Sequence, residues 1–323
     1  MARPQHVNAI LDIIVPVFGM VAVGYVLGRT LLTPECLRGL VNVTFYAMFP
    51  ALIFRSTATV RLDALDPAIL LVFFGGVILL FFLMLPLGRA LGMNLGDQTI
   101  FALSGTFSNG VGIGIPFVAY AFGNEGLVPL LMIISLHSLI MLTLASFMME
   151  IAAQGSSRRL LAKLGSAAFN MLKHPVIPPV ILGLSWAVVA GDVPGLAIPR
   201  IVDQILLALG IAAPPCGLIM TGASLAHVGL RGNWRSAALA TLFKLSVLPV
   251  VVWLVGRYVF PLDPLWLTVA TLNSALPAGT NVYMIAQLYG TAVGRATNAV
   301  VISTALSVVT LSIALMLLGV GAR

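Results

Sequence analysis

The sequence predicts an all-α membrane protein of ten transmembrane helices, arranged as two inverted five-helix repeats with broken helices at positions four and nine. Three observations carry this. The chain has 323 residues, 60% apolar and only 8% charged, where soluble domains average about 25% charged. Ten long stretches carry little or no charge. Two of these, at equivalent places in the two halves, are interrupted by glycine, proline and asparagine. With 17 Lys and Arg and 10 Asp and Glu, the chain cannot cover a soluble fold with charge. A water-soluble enzyme is excluded, as are disorder, collagen and coiled coil. The net charge of +7 reads as an orientation signal, not a nucleic-acid footprint. Cys36 and Cys216 make no disulfide framework, and Cys216, in an apolar run, reads as a small core residue.

The ten stretches are Ile13–Gly28, Gly39–Phe54, Pro67–Gly88, Gln98–Asn124, Gly126–Met149, Pro175–Gly191, Gln204–Ala226, Ser236–Gly256, Pro264–Gly294 and Ala296–Ala322. A hydrocarbon core about 30 Å thick takes about 20 residues of helix, and the shorter stretches reach this by borrowing flanking residues. None alternates as a barrel strand would. Backbone groups in lipid must be satisfied within the segment, so the spans are helices. The first is no cleavable signal, because Asp12 opens it and no A-x-A site follows. With both termini outside, the inner loops hold Arg29, Arg38, Arg89, Arg158, Arg159, Lys163, Lys173, Arg231, Arg235 and Arg295. The outer side holds Arg3, Arg55, Arg61, Arg200, Arg257 and Arg323, so positive charge favours this orientation. The cluster Arg158–Lys173 marks a cytoplasmic linker, residues 151–174, too short to be a domain. It divides a first repeat, residues 1–150, from a second, residues 175–323. Five spans per half forces opposite orientations, a hallmark of secondary transporters.

The repeat leaves local traces. Phe49-Pro50-Ala51-Leu52-Ile53 in the second span answers Pro214-Pro215-Cys216-Gly217-Leu218 in the seventh. Leu85-Pro86-Leu87 answers Leu248-Pro249-Val250, and Ala119-Tyr120-Ala121-Phe122-Gly123 answers Ala286-Gln287-Leu288-Tyr289-Gly290. The fourth span reads Ser108-Asn109-Gly110-Val111-Gly112-Ile113-Gly114-Ile115-Pro116, and the ninth Asn273-Ser274-Ala275-Leu276-Pro277-Ala278-Gly279-Thr280-Asn281. Such runs cannot hold a regular helix. Unwound backbone at that depth requires burial in protein or contact with water. Paired interruptions point to a transporter's binding site. The alternative for each run is a kink or close packing by small residues.

A broken helix presents free N–H groups and partial positive charge at its N-terminal half-helix end, which suits a carboxylate. Asn109 and Asn281 add amides without fixed charge. Candidate substrate contacts are therefore Asn109, Gly110, Gly112, Gly114, Pro116, Asn273, Pro277, Gly279, Thr280 and Asn281, together with Lys244, the one cation deep in a span. A buried ammonium is costly unless paired or wetted. Lys244 reads as an attractor of anions, a movable charge, or a structural pair. His137 reads as a hydrogen-bonding residue or a proton relay. Asp12, Glu35 and Asp203 fall near helix ends. Neither break holds an acidic pair, and no Walker, H-E-x-x-H or G-x-S-x-G run occurs. No cofactor or metal is expected.

The run Phe107 to Pro116 resembles the N-x-x-x-x-G-x-P signature of the auxin efflux carrier family. So do Leu276-Pro277-Ala278-Gly279 with Ala286 to Gly290 downstream, and Phe49-Pro50-Ala51-Leu52. The resemblance extends from Val15 to about Ser312. It implies a scaffold of helices 1, 2, 6 and 7, and a transport domain of helices 3–5 and 8–10. Helices 4 and 9 would cross, as in bile-acid and sodium/proton carriers. It also implies an organic anion as cargo, auxin in plants and malonate or malate in bacterial permeases, with Asn109 at the carboxylate. The short linker is similar to prokaryotic members. Thr280-Asn281-Val282 departs from plant carriers and favours a small dicarboxylate over auxin. The expected protein is an inner-membrane carrier of small carboxylates working as an elevator, not an enzyme. The alternatives are a sodium- or proton-coupled symporter of the bile-acid type, and a non-transporting sensor or assembly subunit. A homodimer would supply a fixed scaffold; a monomer held by lipid is the other arrangement.

Overall fold

The computed structural model describes residues 4–59, 65–152, 176–193, 196–227 and 234–320. The basic cluster Arg158–Lys173 and the residues Arg3, Arg61, Arg231 and Arg323 lie outside the described residues, so the linker and part of the charge asymmetry are not described.

The described chain is helical, and its strand-like pairing is one bridge between Ser108 and Ala278. In chain order the helices are α1 (Pro4–Thr30), α2 (Pro34–Ala58), α3 (Ala68–Ala90), α4 (Leu95–Thr106), α5 (110–122) and α6 (124–152). There follow α7 (Ile177–Asp192), α8 (Arg200–Ala226), α9 (Trp234–Val259), α10 (Pro264–Ala275), α11 (Asn281–Leu288) and α12 (Val293–Leu317). Starts are written in the sequence. The Thr33 hydroxyl accepts from Cys36 N–H before α2, Asn94 Oδ1 from Asp97 N–H before α4, and Asp263 Oδ1 from Leu265 N–H before α10. Each satisfies a donor that the first turn leaves free.

Among the described residues seven helices are long and apolar enough to cross a membrane, and Ile177–Gly191 is a shorter apolar one. That is fewer than the ten uncharged stretches, for a local reason. One of the seven, Gly110–Ala152, is two helices that meet at Gly123, where φ is 60° and ψ is −149°. That conformation belongs essentially to glycine. The 12-residue helices α4 and α10 rise only about 18 Å each, short of the hydrocarbon core. The interruptions at Phe107–Asn109 and Leu276–Thr280 thus leave half-helices where the sequence shows one long apolar stretch.

Prolines explain the wide turns. A π-type turn at Thr44–Met48 precedes Pro50, and another at Phe243–Val247 precedes Pro249. Proline lacks the N–H for its own helical bond and its ring crowds the carbonyl four residues back, so the preceding turn loosens.

Packing divides in two. Helices α1 and α8 touch backbone to backbone: a Cβ on Gly24 or Gly28 would strike the carbonyls of Ile219 or Ala223, and one on Gly222 that of Val21. This is the small-residue contact that lets membrane helices approach. Helix α7 meets α2 in the same way, Gly183 against Thr57. A separate core joins α3, α4, α6 and α9–α12, with Phe73, Phe81, Phe101 and Met84 at its centre. Leu11, Val15, Leu71, Leu182, Ile205 and Val309 are exposed, as lipid-facing side chains are. Cys36 is exposed and Cys216 half-buried, both free, so Cys216 does not enter the core as its apolar surroundings suggested.

Replacing Gly222 with Leu is expected to cost about 1–3 kcal/mol by overpacking, lowering the unfolding midpoint of the detergent-purified protein. Gly19→Leu, with open space around its Cβ, is expected to stay within about 0.5 kcal/mol. A thermal unfolding series on both variants checks the pair.

Candidate functional site

The two breaks face each other and share hydrogen bonds. Asn109 N–H donates to Pro277 O at 2.9 Å, and Gly279 N–H donates to Phe107 O at 3.1 Å. The central residues of the bridge are each held by a side chain from a neighbouring helix. Ser108 N–H donates to His137 Nε2 of α6 at 3.1 Å, and Ala278 N–H donates to the Ser303 hydroxyl of α12 at 2.9 Å. Every partner in one half has a counterpart in the other. His137 therefore carries its hydrogen on Nδ1, which is buried without a partner. Its ring lies among Phe73, Phe74 and Phe107, the last with centroids 4.5 Å apart.

Beyond the crossing, α5 and α11 both begin at one cavity of about 360 Å³, within the range of small-molecule sites. Asn109 caps α5: its Oδ1 accepts from Gly112 N–H at 3.1 Å. That leaves the amide nitrogen as the free donor at the cavity. Thr280 precedes α11 and makes no capping bond with its side chain, so Thr280 and Asn281 keep their polar groups for the cavity they line. Two helix N-termini aimed at one space give it positive potential. Among the described residues that line it there is no Lys, Arg, Asp or Glu.

Of the candidate contacts, Asn109, Gly110, Gly112, Gly279, Thr280 and Asn281 line this cavity. The others do not. Pro277 contributes a carbonyl to the crossing, and Gly114 and Pro116 are buried further along α5. Asn273 is fully buried with neither amide atom partnered, its Oδ1 3.2 Å from where a Cβ on Gly110 would stand. Lys244 is fully buried, and its Nζ donates to Ser274 O behind the crossing. It does not line the cavity. Asp203, placed near a helix end by the sequence, pairs with Arg55, Nε to Oδ1 at 2.7 Å.

The sequence reading missed Ser138, Thr221 and Ser224, which also line the cavity. Thr221 and Ser224 are three apart on α8, hence on one face, and that hydroxyl pair in an apolar span was the available signal. Thr221 also donates to Gly112 O at 3.4 Å, tying α8 to α5.

Along α2 the lining of this cavity ends at Phe45, and one turn further on stands Phe49, whose ring fills the space a Cβ on Gly217 of α8 would take, 2.8 Å from its Cζ. Phe49 is fully buried. On its far side a second cavity of about 290 Å³ follows the same seam, lined by Leu52, Arg55 and Ser56 of α2 and by Leu207, Gly210 and Pro214 of α8.

A family model described as "Membrane transport protein" matches residues 9–315. The chain belongs to the auxin efflux carrier family of membrane transport proteins. This carrier is 29% identical over 316 residues to a protein of Rhizobium meliloti (strain 1021) named "Putative malonate transporter", covering 97% of each chain. It is thus a multi-pass membrane transporter, and both helix breaks lie within the matched region.

Ser303→Ala would leave the buried Ala278 N–H unpaired, at about 1–3 kcal/mol. The unfolding midpoint is expected to fall accordingly, whereas Ser312→Ala, at a half-buried residue of the same helix with a bond to its own backbone, changes it little.

Proposed function

We propose that this carrier moves small organic dicarboxylates of the malonate class across the cell inner membrane, as a secondary active or facilitative transporter. The observation that carries the reading is the meeting of two half-helix N-termini, at Gly110 and Asn281, in one cavity without fixed charge. One carboxylate would take the Asn109 amide and the first turn of α5. The other would take Thr280, Asn281 and the first turn of α11. Charge-assisted bonds of this kind are about twice as strong as neutral ones. Because no guanidinium or ammonium holds the anion, release on the other side stays possible. The printed name of the Rhizobium relative supports the same substrate class.

The reading includes the full topology: ten spans in two inverted repeats, both termini outside. The reciprocal bonds of the crossing support it, since a two-fold relation exchanges Asn109 with Gly279 and His137 with Ser303. In the proposed division, α1, α2, α7 and α8 form the scaffold. Helices α3–α6 and α9–α12 form the transport domain, which carries the crossing past Phe49 as an elevator. Two cavities on one seam, parted by the Phe49–Gly217 contact, are what alternating access requires.

The test is uptake of labelled malonate, malate and an aromatic acetate into proteoliposomes. Saturable uptake of a dicarboxylate is expected. Asn109→Ala and Asn281→Ala are each expected to reduce it by about 10–100-fold, the loss of a hydrogen bond to a charged group. Asn281→Asp, which sets a like charge against the substrate, is expected to abolish it. Unchanged uptake in both alanine variants overturns the site; no uptake of any acid by the unaltered protein overturns the substrate class.

A further inference from the structure

We propose that Lys244 is a built-in counter-cation for the second helix break, so that the transport cycle needs no sodium or potassium ion there. The proposal rests on the transport reading above, because it assigns Lys244 to the moving crossing and not to the substrate.

Helix α10 ends at Ala275 in the protein interior. Its last carbonyls have no partner within the helix and carry partial negative charge. In transporters with discontinuous helices, such C-terminal ends and unwound carbonyls bind the coupling cation. One of these carbonyls has a neutral donor here: Asn273 O accepts Leu276 N–H at 3.4 Å. Ser274 O instead receives the Lys244 ammonium. Polar groups without partners stand on the same two helices. Thr241, one turn before Lys244, and Thr271, one turn before Ser274, have buried hydroxyls without partners, and so does the Asn273 amide. A helix C-terminal end with a free carbonyl is a place for a cation, and the lysine supplies that cation covalently.

The other half of the protein argues against a packing role. Lys244 stands five residues before Pro249, and the residue five before Pro86, its counterpart, is Phe81. Phe81 is fully buried in α3. A phenyl ring therefore serves the same place in the first repeat, and the span does not need an ammonium to pack. The wide turn Phe243–Val247, of the kind frequent at functional sites, carries Lys244 at a point where α9 lies against α10.

The experiment compares malonate uptake in sodium, potassium and N-methylglucamine chloride. The unaltered carrier is expected to be equally active in all three. Lys244→Ala is expected to lose at least about tenfold in N-methylglucamine and to recover several-fold when methylammonium or sodium is added. A second readout needs no substrate: the unfolding midpoint of purified Lys244→Ala should rise with methylammonium over N-methylglucamine, and that of the unaltered protein should not. A sodium requirement in the unaltered carrier overturns the proposal, even if no lysine variant folds. So does Lys244→Ala that is fully active without small cations, or whose midpoint ignores them. If the unaltered protein moves no dicarboxylate, the substrate reading fails and the midpoints still decide the role of Lys244.

Discussion

The backbone that leaves the helix in mid-protein must find partners without water, and the rest of the structure follows from how it does so. An unpaired amide in hydrocarbon costs several kcal/mol. Here each break repairs the other. Asn109 N–H and Gly279 N–H reach across to Pro277 O and Phe107 O, and the remaining central amides go to His137 and Ser303. Neither interruption would be stable alone. The exchange also sets the polarity of the half-helices: C-terminal ends of α4 and α10 on one side, N-terminal ends of α5 and α11 on the other. A cavity with positive potential and, among the described residues that line it, no Lys, Arg, Asp or Glu is the direct product.

That separation of sign explains the placement of charge. Asp97 and Arg295 meet where α4 and α12 begin, with Arg295 also donating to Ser236 at the start of α9. Arg55 and Asp203 meet between α2 and α8. Each pair stands at helix ends, away from the crossing. Both pairs are largely buried, and they fix helix ends without placing charge at the cavity. Lys244 is the exception, and it stands against the C-terminal end of α10, one of the two interior poles that favour a cation.

Much of this was legible beforehand, because the constraint acts on composition. Gly110, Gly112 and Gly114 with Pro116, and Pro277 with Gly279, could not sit in uninterrupted helices, and both breaks fall where the sequence placed them. Six of the eleven proposed contacts line the cavity. The remainder were hidden because sequence gives the face of a residue only while the helix is regular. The wide turn around Lys244 shifts its register, and the crossing takes Pro277 into the backbone exchange, not toward ligand. Thr221 and Ser224 were invisible for the opposite reason. They lie on a regular helix far along the chain, and only the approach of α8 to α5 brings them to Gly112. The junction inside Gly110–Ala152 was legible too: the uncharged stretches part at Glu125, two residues from Gly123, where the helices meet.

The glycines at Gly112 and Gly217 bear on motion as well as packing. Between the proposed scaffold and transport domain the waist is made by a phenyl ring, two glycines and one hydroxyl bond, Thr221 to Gly112 O at 3.4 Å. The ion pairs described above run within each proposed body, not across this seam. A smooth apolar surface loses and regains equivalent contacts as it slides, whereas each ion pair broken across it would add its desolvation and pairing energy to the barrier. Within each body the reverse holds: α1 and α8 are locked through Gly24, Gly28 and Gly222, and the crossing is locked through two backbone–backbone bonds and two from backbone N–H to side chains. The same small residues thus make one interface rigid, where backbones meet face to face. They make the other permissive, where a ring meets a glycine. A Cβ at position 217 would meet Phe49 and turn a sliding contact into an interlocked one, so the mobility of the carrier depends on the absence of a single methyl group at that point in α8.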